Sequence, residues 1–181
     1  MSFSSISSSL FILFLSVNSN AEDLIANLNY GDNRSTVTRK LTVSKLAEAT
    51  IEDGLFGRTG LNGTFTTTRE IAGLSFQLYF DWTEADGLKD VTFRSEPLSS
   101  SNYDRRLMRT WEYTVNLLSS LYGKATNAGY YPKRHEIEAD KVQYSHEWQT
   151  NEGYVYLGIG EGSEGYSMSI KFRNEALPST K

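Results

Sequence analysis

Two histidines, His135 and His146, stand eleven residues apart in the stretch RHEIEADKVQYSHEWQ, and each is followed directly by a glutamate. Imidazole beside carboxylate is the raw material of zinc sites and of general acid–base catalysis. A metalloprotease helix needs H-E-x-x-H, because two imidazoles must stand one turn apart on one face with the glutamate between them. HEIEA places Ala139 where the second histidine is required, so no metal ligand is assigned. His146 falls in phase with Val142, Tyr144 and Trp148, which predicts a half-buried histidine on one face of a strand. His135 lies in a charged connection, where solvent is the expected surrounding.

The other chemistry-bearing patterns resolve the same way. GEGSEG, residues 160–165, matches G-x-G-x-x-G, but a dinucleotide site needs a strand before it and a helix after it to receive the pyrophosphate. Here a strand pattern follows, and Glu161 and Glu164 would repel phosphate, so a hairpin turn is predicted. DWTEAD offers Asp81, Glu84 and Asp86 as paired carboxylates for glycoside hydrolysis, yet the spacing is that of an acidic turn. No G-x-S-x-G elbow or Walker loop is present. No catalytic residue and no cofactor is assigned. Four tyrosines remain unplaced by the predicted core: Tyr130 and Tyr131 in the loop NAGYYP, and Tyr154 and Tyr156 on the side of their strand opposite Val155, Leu157 and Ile159. Tyrosine brings large contact area at low entropic cost, so these four are the candidate binding residues.

The elements that must position these residues are legible from periodicity. Phe76, Leu78, Phe80 and Trp82 alternate with polar residues, TEADG turns the chain, and Val91 and Phe93 continue in a second strand. GTFTTTRE reads as a further strand near an edge. Gly54, Gly57 and Gly60 predict an irregular connection over residues 47–60. Val37 and Leu41, four apart after a cluster of capping residues, predict a short helix. A long amphipathic helix is predicted over SSNYDRRLMRTWEYTVNLLSSLYG. Ser101 and Asp104 form its cap, Tyr103, Leu107, Trp111, Thr114, Leu118 and Leu121 its buried face, and Gly123 its C-terminal stop. Three strands follow: Val142 to Trp148, YVYLGIG, and Tyr166 to Phe172. The fold class is α+β, an antiparallel sheet or sheets packed by one long and one short helix. The element order suggests two α-β-β-β halves, residues 31–98 and 99–174, within one domain spanning 22–181.

Composition and targeting narrow the setting. With 39% apolar and 22% charged residues the chain of 181 is that of a folded protein, and a net charge of −4 without basic clusters excludes a nucleic-acid footprint. Leu10 to Leu15, extended by Val17 and followed by Ser19-Asn20-Ala21, reads as a secretory signal over residues 1–21, leaving a mature chain from Glu22. The apolar run falls short of the roughly 20 residues of a membrane span. Cysteine is absent, which removes disulfides, thiolate ligands and a lipid-modified cysteine. An exported chain without cysteine fits a bacterial periplasm or exterior.

The order of YGD before a short helix, strands around FDW, a helix ending LYGK, and strands around HEW and YLGIG resembles small exported α+β modules of the SmpA/OmlA outer-membrane assembly lipoprotein type and the β-lactamase-inhibitor type. The resemblance covers most of the mature chain as element order. The acylated cysteine of the lipoproteins has no counterpart here, so no lipid anchor and no functional residue is carried over. The resemblance implies a non-enzymatic role in binding protein or a cell-envelope component. The alternative expectation is a small secreted hydrolase using His135 or His146 with Glu136, Glu138, Glu147 or Asp81.

Overall fold

In the computed structural model, which describes residues 28–52 and 55–178, the first helix begins where the sequence supplies a cap. Asn33 is extended (φ −76°, ψ 166°), and its Oδ1 accepts from the Thr36 amide at 2.9 Å, so α1 runs Arg34–Val43. Val37 and Leu41 are both buried, as their spacing predicts. The expected signal segment, residues 1–21, lies outside the described residues.

The stretch read as an irregular connection carries two short elements, β1 (Ala47–Ala49) and α2 (Phe56–Thr59), a single helical turn. Neither is visible as periodicity, because β1 exists through its pairing with β2 (Phe65–Thr67) and not through its own pattern. The hairpin β3 (Phe76–Trp82) and β4 (Leu88–Ser95) buries Phe76, Leu78 and Phe80 on one face, as alternation predicts. Asn62, part of an N-x-T triplet, accepts from the Phe80 amide at 2.6 Å and ties the preceding loop to β3.

The long helix is continuous but not uniform. A 3₁₀ turn, Ser100–Asn102, leads into a π turn, Tyr103–Leu107, and then α3, Met108–Tyr122. The tight first turn moves the cap from Ser101 to Ser99, whose hydroxyl accepts from the Asn102 side chain at 3.2 Å, and Asp104 faces Arg134 at 3.5 Å instead. Tyr103, Leu107, Trp111, Thr114 and Leu118 are buried as expected, Leu121 in the last turn is only half-buried, and Thr110 joins the buried face with its hydroxyl bonded to the carbonyl of Arg106. Gly123, at φ +81°, closes the helix through its N–H to the carbonyl of Ser119.

After β5 (Asn127–Ala128), the strands β6 (Val142–Thr150), β7 (Gly153–Gly162) and β8 (Gly165–Arg173) form a meander. All eight strands join one antiparallel sheet in the order β1-β2-β3-β4-β8-β7-β6-β5, which establishes the α+β class. Each half of the order opens with one helix and lays its own strands side by side, with a short outermost strand beyond the three expected; in the first half the single turn α2 lies between β1 and β2. The last strands of the two halves, β4 and β8, pair at the centre, with Phe93 opposite Ile170.

The entry into each helix repeats as well. Gly31 N–H donates to the Leu88 carbonyl and Leu88 N–H to that of Asp32, at the start of β4; at the start of β8 a comparable tie is a reciprocal pair, Leu98 and Tyr166 each donating to the other's carbonyl. One core cluster combines α1 and α3 with the apolar sheet face, including Phe80, Val91, Phe172, Leu157 and Trp148. The opposite face carries Gln77, Asp81, Thr92, Lys171, Tyr154 and Tyr156 in matching rows across the register.

Candidate functional site: the tyrosine-lined margin of the sheet

Strand β6 changes phase at Ser145. Tyr144 lies opposite Gly158 and His146 opposite Leu157, so Ser145 is an extra residue and the strand bulges there. The expectation that Val142, Tyr144, His146 and Trp148 share a face is therefore corrected: His146 and Trp148 point into the helix-side core, whereas Tyr144 turns to the polar face. Ser145 suits the extra position because its hydroxyl has partners on two sides. It accepts from Trp111 Nε1 at 3.0 Å and donates to the Leu157 carbonyl at 3.2 Å, which fixes α3 to the bulge. Gly158 is required opposite the bulge: a Cβ there would stand 2.6 Å from the Gln143 carbonyl oxygen and 2.9 Å from Tyr144 Cα.

His146 is 7% exposed, stacked on Trp148 at 5.5 Å and met edge-on by Trp111 at 5.2 Å. Burial lowers its pKa, because the imidazolium would lose its hydration in this aromatic slot. Among the described residues its hydrogen-bond neighbour is the adjacent Ser145 hydroxyl at 3.2 Å. His135 is exposed in a 3₁₀ turn, Arg134–Glu136, and the two histidines do not converge. Three of the four carboxylates of the hydrolase reading are engaged elsewhere: Glu136 accepts from the Tyr130 hydroxyl, Glu138 pairs with Lys141, and Asp81 pairs with Lys171; the fourth, Glu147, follows His146 on the other face of β6. Among the described residues no group of three His, Asp or Glu side chains is placed to hold a metal ion. GEGSEG forms the β7–β8 hairpin turn, as expected.

The four candidate tyrosines separate into two places. Tyr130 is 63% exposed, and its hydroxyl donates to Glu136 at 2.9 Å. Its neighbour Tyr131 is half-buried between the rings of Tyr103 and Trp111 and donates to the Tyr103 carbonyl at 2.8 Å, so it belongs largely to the packing of the loop. On the polar face, Tyr154 stacks on Tyr156 at 6.2 Å, and Tyr156 meets Tyr144 edge-on at 5.6 Å. Tyr156 is only 3% exposed, which corrects its expected role as an open contact residue. It stands outside the helix-side cluster, and burial pushes its phenol pKa upward.

Beside this row lies a charge network built across three strands. Lys171 Nζ is 2.9 Å from Asp81 and 3.1 Å from Asp90, and Arg173 Nε is 3.0 Å from the other Asp90 oxygen. Burial pulls the Lys171 pKa down, but the hydrogen bonds and charges of Asp81 and Asp90 outweigh it, and the net shift is upward.

Strand β5 faces only Glu147 and His146, so Val142 to Ser145 form an open margin of the sheet among the described residues, touched by the Gly129 N–H at the Ser145 carbonyl. A groove of about 710 Å³ runs along this margin, lined by Tyr144, Glu147, Tyr156, Asn127, Leu177 and Pro178. Leu177 N–H donates to the Tyr156 hydroxyl at 3.0 Å. Sequence reasoning missed Tyr144 and Leu177, since both depend on the bulge and on the return of the C-terminal segment.

Compared with protein-family models, curated proteins and solved structures, the chain has no significant match in any of the three.

Proposed function

We propose that the protein is an exported, non-enzymatic module that binds protein or cell-envelope material along the margin of β6. The carrying observation is the bulge at Ser145, which brings Tyr144 to Tyr156 and Tyr154 beside Val142 to Tyr144, a stretch of β6 that pairs with no outer strand among the described residues. Tyrosines supply contact area and hydrogen-bonding ends, and an open strand margin accepts an added extended segment through backbone hydrogen bonds. The burial of His146, with the Ser145 hydroxyl as its hydrogen-bond neighbour, weighs against the hydrolase alternative.

Export rests on the apolar run Leu10 to Leu15 with Ser19-Asn20-Ala21 after it, and the absence of cysteine favours a bacterial periplasm or exterior. Among the described residues no helix is long and apolar enough to cross a membrane. The element-order likeness to SmpA/OmlA-type and β-lactamase-inhibitor-type modules supports the same reading.

The test is in-cell photo-crosslinking from position 154, compared with position 113 on the exposed side of α3. A discrete adduct from position 154 alone, on a chain whose mature N-terminus maps near Glu22, is the expected result. Adducts from position 113 alone, or equally from both, contradict the binding surface, and an intact N-terminus contradicts export.

A further inference from the structure

The segment after β8 provides the occupant that the groove lacks a name for. Arg173, the last residue of β8, is buried and held by Asp90, so the chain leaves the sheet from a fixed point beside Tyr154. It then turns back over the same face. Four residues later the Leu177 amide reaches the Tyr156 hydroxyl, and Leu177 and Pro178 become part of the groove wall. Asn174, Glu175, Ala176 and Pro178 stay exposed, so among the described residues the return is held by the Leu177 N–H on the Tyr156 hydroxyl and by the half-buried Leu177.

Resting on the groove reading above, we propose that this site recognises an extended leucine-proline peptide and that Leu177-Pro178 is its tethered resident, displaced when a partner supplies the same chemistry. The residue before a proline is biased to extended backbone, and proline-bearing segments dock on aromatic grooves with little conformational entropy left to lose. The Tyr156 hydroxyl binds a backbone amide, which any extended peptide offers. Selectivity then comes from the apolar side chain that shares the groove with Tyr144 and from the ring that follows it. A tether of this length presents its segment at roughly millimolar effective concentration, so a competing peptide gains access when the tail is released or when it adds bonds along Val142 to Ser145.

The experiment uses the full chain with the tail released by Leu177→Asp and Pro178→Gly, titrated with the synthetic peptide NEALPSTK and followed by amide and tyrosine NMR shifts. Saturable shifts at Tyr144, Tyr156 and Val142 to Ser145 are expected in the released variant. The unaltered chain should need roughly tenfold more peptide, and a scrambled peptide should give no response. Adding Tyr156→Phe to the released variant should weaken the response while a dispersed spectrum confirms the fold. As a second readout in the otherwise unaltered chain, Tyr156→Phe should accelerate exchange of the Leu177 amide by roughly tenfold, equivalent to one lost local hydrogen bond. A folded released variant that ignores the peptide, an unaltered chain that responds equally, or an unchanged Leu177 exchange rate overturns the proposal. If those results come with adducts from position 154 still forming, the tail claim falls alone; loss of both removes the groove as a binding site.

Discussion

The His146 imidazole, held between Trp111 and Trp148, links folding to pH in a definite direction. Its folded pKa lies below the ordinary value of 6.5, so between those two values the unfolded chain binds more protons than the folded one. The contribution is fully present above pH 6.5 and is lost as pH falls toward the folded pKa. Urea unfolding from pH 7.5 to 5 should show a shallower loss of stability for His146→Phe than for the parent; parallel curves would contradict the assignment. The Ser169 hydroxyl, buried without a hydrogen-bond partner, predicts the opposite kind of effect. Ser169→Ala removes an unsatisfied group and should raise stability by about 1 kcal/mol in denaturant titrations.

At the scale of elements, the bulged β6 depends on a residue in the neighbouring strand. Gly158→Ala would press a methyl carbon against backbone atoms of Gln143 and Tyr144, which have no flexible end to yield. A loss of about 2 kcal/mol is expected, with displaced Tyr144 resonances as the structural sign; unchanged resonances would contradict the close approach. The same strand shows how far sequence reaches. Alternation over residues 76–80 and 166–172 predicts buried faces correctly, because the pairing keeps one register there; it shifts between Asp81 and Trp82, and Trp82 is only half-buried. In YSHEW it predicts His146 and Trp148 correctly and Tyr144 wrongly, since one inserted residue reverses every side chain before it. The short β1 and β5 escape periodicity because they span three and two residues and exist through their partners. Tyr156 lies on the expected side of β7, but beyond its strand neighbour Tyr154 its surroundings are Tyr144 and the returning segment at Leu177, neither of which is local in sequence.

For the molecule as a whole, the central joint between the halves is both apolar and ionic. Phe93 and Phe172 meet edge-on at 5.7 Å on the helix side, while Asp90 on β4 joins Lys171 and Arg173 of β8 on the other. Asp90→Ala leaves the buried Arg173 without its carboxylate and should cost about 3 kcal/mol. Because one core cluster and one sheet span both halves, unfolding should remain a single transition displaced to lower denaturant. Two separated transitions in fluorescence and circular dichroism would show that the halves are energetically independent.

In the proposed function, packing falls to the helix side and recognition to the margin of β6. Hydrogen exchange across the chain, before and after complex formation with the partner captured from position 154, tests that division most directly. Slowed exchange concentrated in residues 142–147 and in Tyr156, with accelerated exchange at Leu177, is the predicted footprint. Slowed exchange confined to the exposed side of α3, with residues 142–147 unchanged, would contradict it.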